Sequence, residues 1–188
     1  MIRRPYVVLS CAMSLDGSLD GTGQDRLVLS GAADLDRVDA ERAAADAILV
    51  GAGTIRRDDP RLLVRSSRRQ AERHASGRPP QPAGVTVTAS GDLDPAARFF
   101  TRDPGDAGEG GPGEGGAASA PGDRGVVARR IVYAATPVLP KLSDQLAGLA
   151  EVVDGGDPLR LTAILADLGR RGVRRLMVEG GASLAPSS

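Results

Sequence analysis

The sequence predicts an α/β protein built on a mostly parallel sheet, and three observations support this fold class. Short aliphatic runs recur along the 188 residues, stretches of helical period lie between several of them, and glycine or small polar residues follow three of the runs. Hydrophobic residues make up 41% of the chain, which is enough for a real core. Because aromatic residues make up only 2%, that core must consist mainly of Leu, Val, Ile and Ala.

Six segments have the composition of strands buried in a sheet. They are residues 6–12, 48–50, 85–88, 130–134, 151–153 and 175–178. Strands that alternate with helices form largely parallel sheets, because a helical crossover returns the chain in the same direction.

Three segments between these strands are compatible with helices. Behind Ser30, a suitable N-cap, helix-like intervals separate Leu35, Val38, Ala45 and Ile48. Residues 64–75 are basic and helix-compatible, and they end at Gly77 and two prolines. Residues 159–171 carry an apolar stripe and are followed by Gly172, a favoured residue at helix ends.

Residues 102–125 differ from the rest of the chain. Half of them are Gly or Pro. The segment contains no aromatic residue and no aliphatic residue larger than Ala. Such a segment buries too little apolar surface to offset the entropy lost on ordering. We expect a disordered surface insertion within a single domain of residues 1–188, because the strands on either side are too few for two cores.

The charge and composition exclude several classes of function. With 24 basic and 24 acidic residues the chain has no excess positive charge for a nucleic acid. The lone cysteine, Cys11, cannot build a disulfide framework or a zinc site. No apolar stretch approaches the roughly 20 residues of a membrane span, and the N-terminus lacks a signal-peptide pattern. A cytoplasmic protein with a small-molecule ligand is therefore expected.

The segment Ala47–Arg65 is the strongest candidate for a ligand site. Its apolar run stops at Gly51-Ala52-Gly53-Thr54, and clustered charges follow at once. Glycines allow a ligand to approach the backbone, and arginines bind phosphate with two parallel hydrogen bonds. Residues 12–17 and 179–181 likewise place small or polar residues after strands, where open α/β sheets bind ligands. Together these strand ends predict a nucleotide or dinucleotide site.

Known motifs of other enzyme classes are missing from this segment. Arg56 stands where a Rossmann fingerprint has its third glycine, and no Gly-Lys-Ser/Thr follows for a Walker A loop. A zinc deaminase needs several His and Cys ligands, whereas His74 is the only histidine and is expected on the surface. No Gly-x-Ser-x-Gly elbow supports a hydrolase.

Two pairs of charged residues have alternative interpretations. Asp58 and Asp59 could hold a metal or divide acid and base roles between them. Alternatively they form a turn before Pro60, an interpretation that suits Asp59 better. Arg61 and Arg65 are four residues apart and would share a face in a helix or in a strand. They are either a phosphate clamp or a solvated basic surface.

At these residues the chain resembles the reductase domain of riboflavin biosynthesis, a family with a dihydrofolate-reductase-like fold. The matching segments are residues 4–7, 13–17, 46–54, 58–62 and 178–181, in the order of the family. The resemblance implies an NADPH-dependent reduction of a ribosylaminopyrimidine 5′-phosphate to a ribitylamino product, with no metal. The sequence leaves open whether the pyrimidine is already deaminated.

The resemblance also implies roles for individual residues. Asp58 would contact both the cofactor and the reacting centre. The other expected cofactor contacts are Ala12, Thr54, Ser90, Gly180 and Gly181. The expected substrate contacts are Arg42, Leu62, Arg65 and Glu179, with Arg65 on the ribose phosphate. The family also contacts ligand in the loop 25–28.

The family continues beyond Glu-Gly-Gly with a helix and further strands, whereas the sequence stops at Ser188. We therefore expect the last strands of the family's sheet to be missing, and a homodimer as the assembly if the dimer surface is retained. Two alternatives stay open: a reductase of another substrate, such as a pterin, and a non-catalytic nucleotide-binding module.

Overall fold

The computed structural model describes residues 4–10, 32–101 and 128–180, and six strands in these ranges form one parallel sheet. The six predicted strands are confirmed, and every pairing between neighbours is parallel. The strands are β1 (Tyr6–Ser10), β2 (Ala47–Gly51), β3 (Ala83–Thr88), β4 (Arg130–Ala134), β5 (Glu151–Asp154) and β6 (Arg175–Glu179).

The strand order is β1-β6-β2-β3-β4-β5, so that β6 lies between the two strands that begin the chain. Ser10 of β1 is paired with Glu179 of β6, and Leu49 of β2 is paired with Val178. Because all strands run the same way, their C-terminal ends share one side of the sheet, the carboxyl edge. Their first residues share the opposite side, the amino edge.

Five helices connect the strands in the described ranges. They are α1 (Ala32–Ala44), α2 (Ala52–Asp58), α3 (Ser67–Ala75), α4 (Leu139–Gln145) and α5 (Leu161–Arg170), with a 3₁₀ turn at Thr136–Val138 before α4. The sequence did not predict α2 and α4, because each spans only seven residues and shows too little periodicity.

Two predicted helices differ from the structure by three or more residues at one end, whereas the helix predicted over 159–171 spans Leu161–Arg170. The helix predicted from the spacing of Leu35 to Ile48 ends earlier, because α1 stops at Ala44 and Ile48 lies in β2. The segment from residue 64 becomes helical only at Ser67, where Ser66 is the N-cap and its hydroxyl accepts from the Arg69 amide at 3.4 Å. Ser30, the expected cap of α1, lies outside the described residues.

A layer of core packs against each face of the sheet. On one face Ile48 and Val50 of β2 contact the layer formed with α2 and α4, which includes Ile55 and Leu142. Phe99 is also buried there, in an edge-to-face contact with its neighbouring phenylalanine. On the other face α5 packs against Leu49 and Ile131.

The C-terminus of α5 ends as the sequence predicts. Gly172 has a φ of +89°, a conformation that glycine adopts without strain. The Val173 amide donates to Leu168 O and the Gly172 amide to Gly169 O, which is the Schellman pattern. This turn directs the chain into β6 and hence toward Glu179.

Several expectations concern residues outside the described ranges. These are Cys11, the loop 25–28 and the Gly/Pro-rich segment 102–125, which stays a prediction as an insertion. Within the described residues, no helix has both the length and the apolar character that crossing a membrane requires.

Candidate functional site

The carboxyl edge brings several of the expected site residues together. Strands β6 and β2 are neighbours, so Glu179 at the end of β6 lies beside the start of α2, which contains Thr54. Strand β3 is next in order, and Ser90 follows its end. Gly180 directly follows β6, whereas Ala12 and Gly181 lie outside the described residues.

Arg42 of α1 and Glu179 form a two-pronged ion pair at this edge. Arg42 donates from Nε to Oε1 and from Nη2 to Oε2 of Glu179, each at 2.7 Å. Both side chains are only 16% exposed. Burial acts to lower the pKa of the Arg42 guanidinium, but Glu179 outweighs it and the pKa is raised. The pair is therefore a fixed polar unit, with unused carboxylate lone pairs available to a ligand.

The same arginine fixes the loop that carries Arg65. Arg42 Nη1 donates to Leu63 O at 3.2 Å. On the preceding turn of α1, Asp39 is 7% exposed and its carboxylate accepts from the amides of Arg65 and Ser66. Arg69 of α3 also donates to Asp39, from Nη1 at 2.9 Å.

Asp39 is a site-supporting residue that sequence reasoning missed. Burial acts to raise the pKa of its carboxyl, but the hydrogen bonds from the Arg65 amide and the Arg69 guanidinium outweigh it and lower the pKa. The available signal was its position three residues before Arg42, on the same helical face. Because Asp39 occupies two amides at the start of α3, an incoming anion would have to bind the Arg65 side chain.

The exposed side chain of Arg65 has no hydrogen bond or ion pair to another described residue. Residues 60–66 are neither helix nor strand. The prediction that Arg61 and Arg65 share a face in either regular structure therefore does not apply. The reason is the backbone at Asp59 and Leu62, where φ is +42° and +56°.

Leu62 has its side chain in the core, with 2% exposed. A left-handed backbone at a buried leucine is strained, and packing holds it in place. Its role as a substrate contact stays a prediction. Because the side chain is buried, the backbone of Leu62 would have to make that contact. Asp59 caps α2 and accepts from the Arg98 amide at 2.6 Å, so it serves the turn, as one of the two interpretations predicted.

Thr54 and Asp58 lie four residues apart on α2 and therefore on one helical face. Thr54 is half-buried and Asp58 is exposed. The same helix is tied to the loop after β3, because Arg56 Nη1 donates to Asp92 O at 2.9 Å. In that loop the Ser90 hydroxyl accepts from the Asp92 amide at 3.3 Å, which leaves its O–H available.

Gly53 fits the approach of a cofactor. Among the described residues, a Cβ atom at this position would meet only Arg56 Nη2, at 3.9 Å, so packing in this part of the chain does not require a glycine. Glycine within a helix costs about 1 kcal/mol relative to alanine. An uncovered backbone next to Thr54 is what a bulky ligand group would use. Gly180, with a φ of +142°, similarly presents backbone beyond β6.

Metal ligation has no support in the described ranges, which contain no group of three His, Cys, Asp or Glu side chains arranged for an ion. His74 is exposed on α3, so the prediction of a surface histidine is confirmed. Two clefts, of about 400 and 270 Å³, lie away from Thr54 and Glu179, beside β5 and at the amino edge.

Comparison with known protein families gives one match over most of the chain. The model of the RibD C-terminal domain matches residues 5–187. A protein of Archaeoglobus fulgidus named 2,5-diamino-6-ribosylamino-4(3H)-pyrimidinone 5′-phosphate reductase is 35% identical, over 98% of this chain and 74% of its own length. A protein of the same name from Methanothermobacter thermautotrophicus is 32% identical, over 96% and 69%.

Solved structures share the fold. A pyrimidine reductase-like protein from Corynebacterium diphtheriae superposes with a TM-score of 0.68 at 21% identity. The superposition covers 94% of this chain and 66% of that one. RibD from Acinetobacter baumannii gives a TM-score of 0.64 at 22% identity, over 96% of this chain and 41% of its own. The α/β, dihydrofolate-reductase-like fold expected from the sequence is thereby confirmed.

Proposed function

Because the chain belongs to the RibD C-terminal domain family, we propose that it reduces a ribosylaminopyrimidine 5′-phosphate to the ribitylamino product in riboflavin biosynthesis, with NADPH as reductant. The names of the curated relatives support a pyrimidine phosphate as substrate. The reaction transfers a hydride from NADPH to C1′ of the open-chain imine, and the imine nitrogen takes a proton from solvent, which leaves NADP⁺ and the amine. The chain is thus an oxidoreductase.

The observation that best supports a phosphorylated substrate is the guanidinium of Arg65, which bonds to no described residue and lies on a loop fixed beside the Arg42–Glu179 pair. Asp39 and Arg42, one turn apart on α1, hold this loop through the Arg65 amide and Leu63 O. Arg65 can therefore meet a phosphate without reorganising its backbone. A pre-positioned arginine contributes more to binding than a mobile one, because less entropy is lost.

NADPH fits the residues of the carboxyl edge. Thr54, Asp58 and Ser90 would contact it with polar groups, and Ala12, Gly180 and Gly181 would contact it with backbone. When bound, the reduced nicotinamide supplies the hydride. The space at Gly53 supports this assignment, since no described residue covers the start of α2 next to Thr54.

The remaining chemistry is orientation by the chain's own side chains. Arg65 would hold the substrate phosphate, and the Arg42–Glu179 pair would orient the pyrimidine or ribose through its unused lone pairs and N–H groups. The Asp58 carboxylate, exposed one turn beyond Thr54, would face the reacting centre. Correct placement of reactants can lower a barrier by about 7–11 kcal/mol, so no histidine, cysteine or metal is needed.

The first test is binding of NADPH to the purified chain. We expect a rise in thermal stability, because a ligand at about 100 times its Kd stabilises the folded state by about 2.7 kcal/mol. Addition of the ribosylaminopyrimidine phosphate, in its amino and its deaminated form, should then consume NADPH absorbance. A chain that binds NADPH but oxidises it only with a pterin, or not at all, would contradict the proposal.

The second test is Arg65→Ala, with Arg68→Ala as a matched control. Arg68 is an exposed arginine of α3 that makes only a 3.7 Å ion pair with Glu72. We expect Arg65→Ala to raise KM for the phosphorylated pyrimidine by at least about tenfold, because one charged hydrogen bond contributes about 1.5–3 kcal/mol. Equal KM values in the two variants would remove Arg65 from the substrate site. A homodimer and a cytoplasmic location stay predictions.

A further inference from the structure

The amino edge of the sheet, opposite the proposed active site, contains a cleft of about 270 Å³ lined by four arginines and one aspartate. Arg73 and Arg78 line it from the end of α3. Arg129, which precedes β4, and Arg171, at the end of α5, line it as well. Asp46, which precedes β2, is the only carboxylate among the lining residues.

Arg73 is a buried cation that forms no ion pair with another described residue. It is 2% exposed, and it donates from Nε to Pro79 O at 2.9 Å and from Nη1 to the carbonyls of Ala43 and Ala45 at 2.6 Å. All three acceptors are neutral, and no hydrogen bond to a described residue involves Nη2. A buried charge is costly unless a counter-charge offsets it.

The neighbouring charges do not neutralise this wall of the cleft. Arg78 Nη1 makes only 3.4 Å contacts to the carbonyls of Ala43 and Ala44, and no carboxylate in the described ranges forms an ion pair with it. Asp46 is engaged elsewhere, since its Oδ2 accepts from two backbone amides at the start of β6 at 2.9 Å each. Arg73 and Arg78 are therefore like charges in one cleft. Burial and Arg78 lower the pKa of Arg73, and the attraction of Asp46 offsets this effect only in part.

The arginines of the opposite wall already form ion pairs. The net positive charge around the cleft is therefore small. Arg129 donates to Glu151 at 2.7 Å, and Arg171 bonds to Glu151 and Asp167. Neither Glu151 nor Asp167 lines the cleft itself. A small dianion between Arg73 and Arg78 would offset their charges and accept from guanidinium N–H groups that no described residue uses.

We propose that this amino-edge cleft binds the phosphate group of a small metabolite, at a site separate from the reductase centre. Planar guanidinium groups recognise phosphate with two parallel hydrogen bonds, and Arg78 is half-buried, so part of its guanidinium is accessible to a ligand. The volume lies just below the roughly 300 Å³ of typical ligand pockets, which suits a phosphomonoester better than a dinucleotide.

The test titrates inorganic phosphate into the full chain at constant ionic strength and follows binding by calorimetry and backbone amide NMR. Saturable binding is expected, with amide shifts at Gly77 and Ala83, which line the cleft. Arg78→Gln should weaken it by at least about tenfold, because it removes a charged hydrogen bond. Arg68→Gln, the same change on the exposed face of α3, should leave it unchanged.

Arg65→Gln separates this site from the proposed substrate site. Phosphate binding that is lost in Arg65→Gln and kept in Arg78→Gln would place the anion at the carboxyl edge and overturn the proposal. Absence of saturable binding, or a response equal to that with chloride, would overturn it as well. Because no step measures reduction, an inactive reductase would not affect this result.

Discussion

Asp39 shows how one side chain organises the region around the proposed substrate phosphate. Its buried carboxylate accepts from two backbone amides and from Arg69, and it thereby joins α1, the loop before α3 and α3 itself. Without it, the two backbone amides would lose this acceptor, whereas Arg69 would keep its hydrogen bonds to Asp36. This side chain should therefore contribute both to stability and to its dependence on pH.

We expect the folded state to lose stability as the pH falls below about 4, in part because of Asp39. Its folded pKa is lowered, so the unfolded chain takes up a proton there while the folded chain does not. By linkage, stability then rises with pH in this range and is fully present above it. Urea unfolding between pH 3 and 6 should give a shallower acid slope for Asp39→Asn than for wild type.

The control for that measurement is Asp144→Asn, at an exposed aspartate of α4. Asp144→Asn should leave the acid slope unchanged. Asp39→Asn should in addition lower the unfolding free energy by about 1–3 kcal/mol near neutral pH, because buried donors then lack a charged acceptor. Equal slopes in all three proteins would show that Asp39 does not contribute to acid unfolding.

Arg130 and Gly84 form a second residue-level pair, at the start of β4 and in β3. Arg130 is 7% exposed, its Nε donates to Phe99 O, and its Nη1 has no partner among the described residues. Burial lowers its pKa to about 10. A Cβ atom at Gly84 would lie 2.9 Å from Cδ and Nη1 of Arg130, so the glycine makes room for the guanidinium.

Gly84→Ala should therefore destabilise the protein by about 1–3 kcal/mol through overpacking. In an Arg130→Ala background the same change should cost less, because the two nearest atoms are gone and the next, Phe99 Cε2, lies at 3.1 Å. A double-mutant cycle of unfolding free energies measures the difference. Additive effects would mean that Arg130 is not what Gly84 accommodates.

At the scale of elements, a polar network fastens α5 to the sheet. The Tyr133 hydroxyl of β4 donates to Asp167 of α5 at 2.7 Å, and Asp167 also accepts from Arg171. Arg171 in turn donates a hydrogen bond to Glu151 of β5. Burial, with the bond to Asp167, raises the pKa of the Tyr133 hydroxyl, so it stays a donor at physiological pH.

Tyr133→Phe should lower the unfolding free energy by about 1 kcal/mol, the usual contribution of one hydrogen bond. Tyr6→Phe is the matched control, because Tyr6 is 67% exposed and its ring only faces Arg175 at 5.6 Å. Denaturant midpoints of the two variants provide the comparison. A larger loss for Tyr6→Phe would contradict the importance of the α5 network.

The sequence predicts the elements well where the local pattern is strong and fails where tertiary contacts decide. All six strands follow from aliphatic runs, and the end of α5 follows from Gly172. The seven-residue helices α2 and α4 are too short to show a period. The loop bearing Arg65 depends on the left-handed backbone of Leu62 and on Asp39, and neither is visible in a local pattern. The same holds for the pairing of Arg42 with Glu179, 137 residues apart.

At the scale of the whole molecule, the two edges of the sheet carry two different proposed ligand sites. The carboxyl edge holds the proposed reductase site, whereas the amino edge carries the arginine-lined cleft. The rigid centre that separates them is formed by β2 and β4, in which every residue is buried. Ligands at the two edges should therefore bind without direct contact.

Amide hydrogen exchange should reflect this arrangement. The amides of β2, β3 and β4, paired on both sides, are expected to exchange slowest, near the rate set by global unfolding. Those of β5, which is paired only with β4 among the described strands, should exchange faster. Protection of Val152 and Val153 equal to that of Leu49 and Val85 would indicate that β5 opens only with the whole sheet.

The position of β6 has a consequence for synthesis on the ribosome. It separates β1 from β2 in the sheet, yet it is made roughly 120 residues after β2. At about 5–20 residues per second, the nascent chain waits on the order of ten seconds with a gap between its first two strands. Unpaired strand edges are templates for aggregation, and such distant pairings fold slowly. We therefore expect the pairing that places Glu179 beside Arg42 to form only at the end of translation, with β1 and β2 left without their shared neighbour until then.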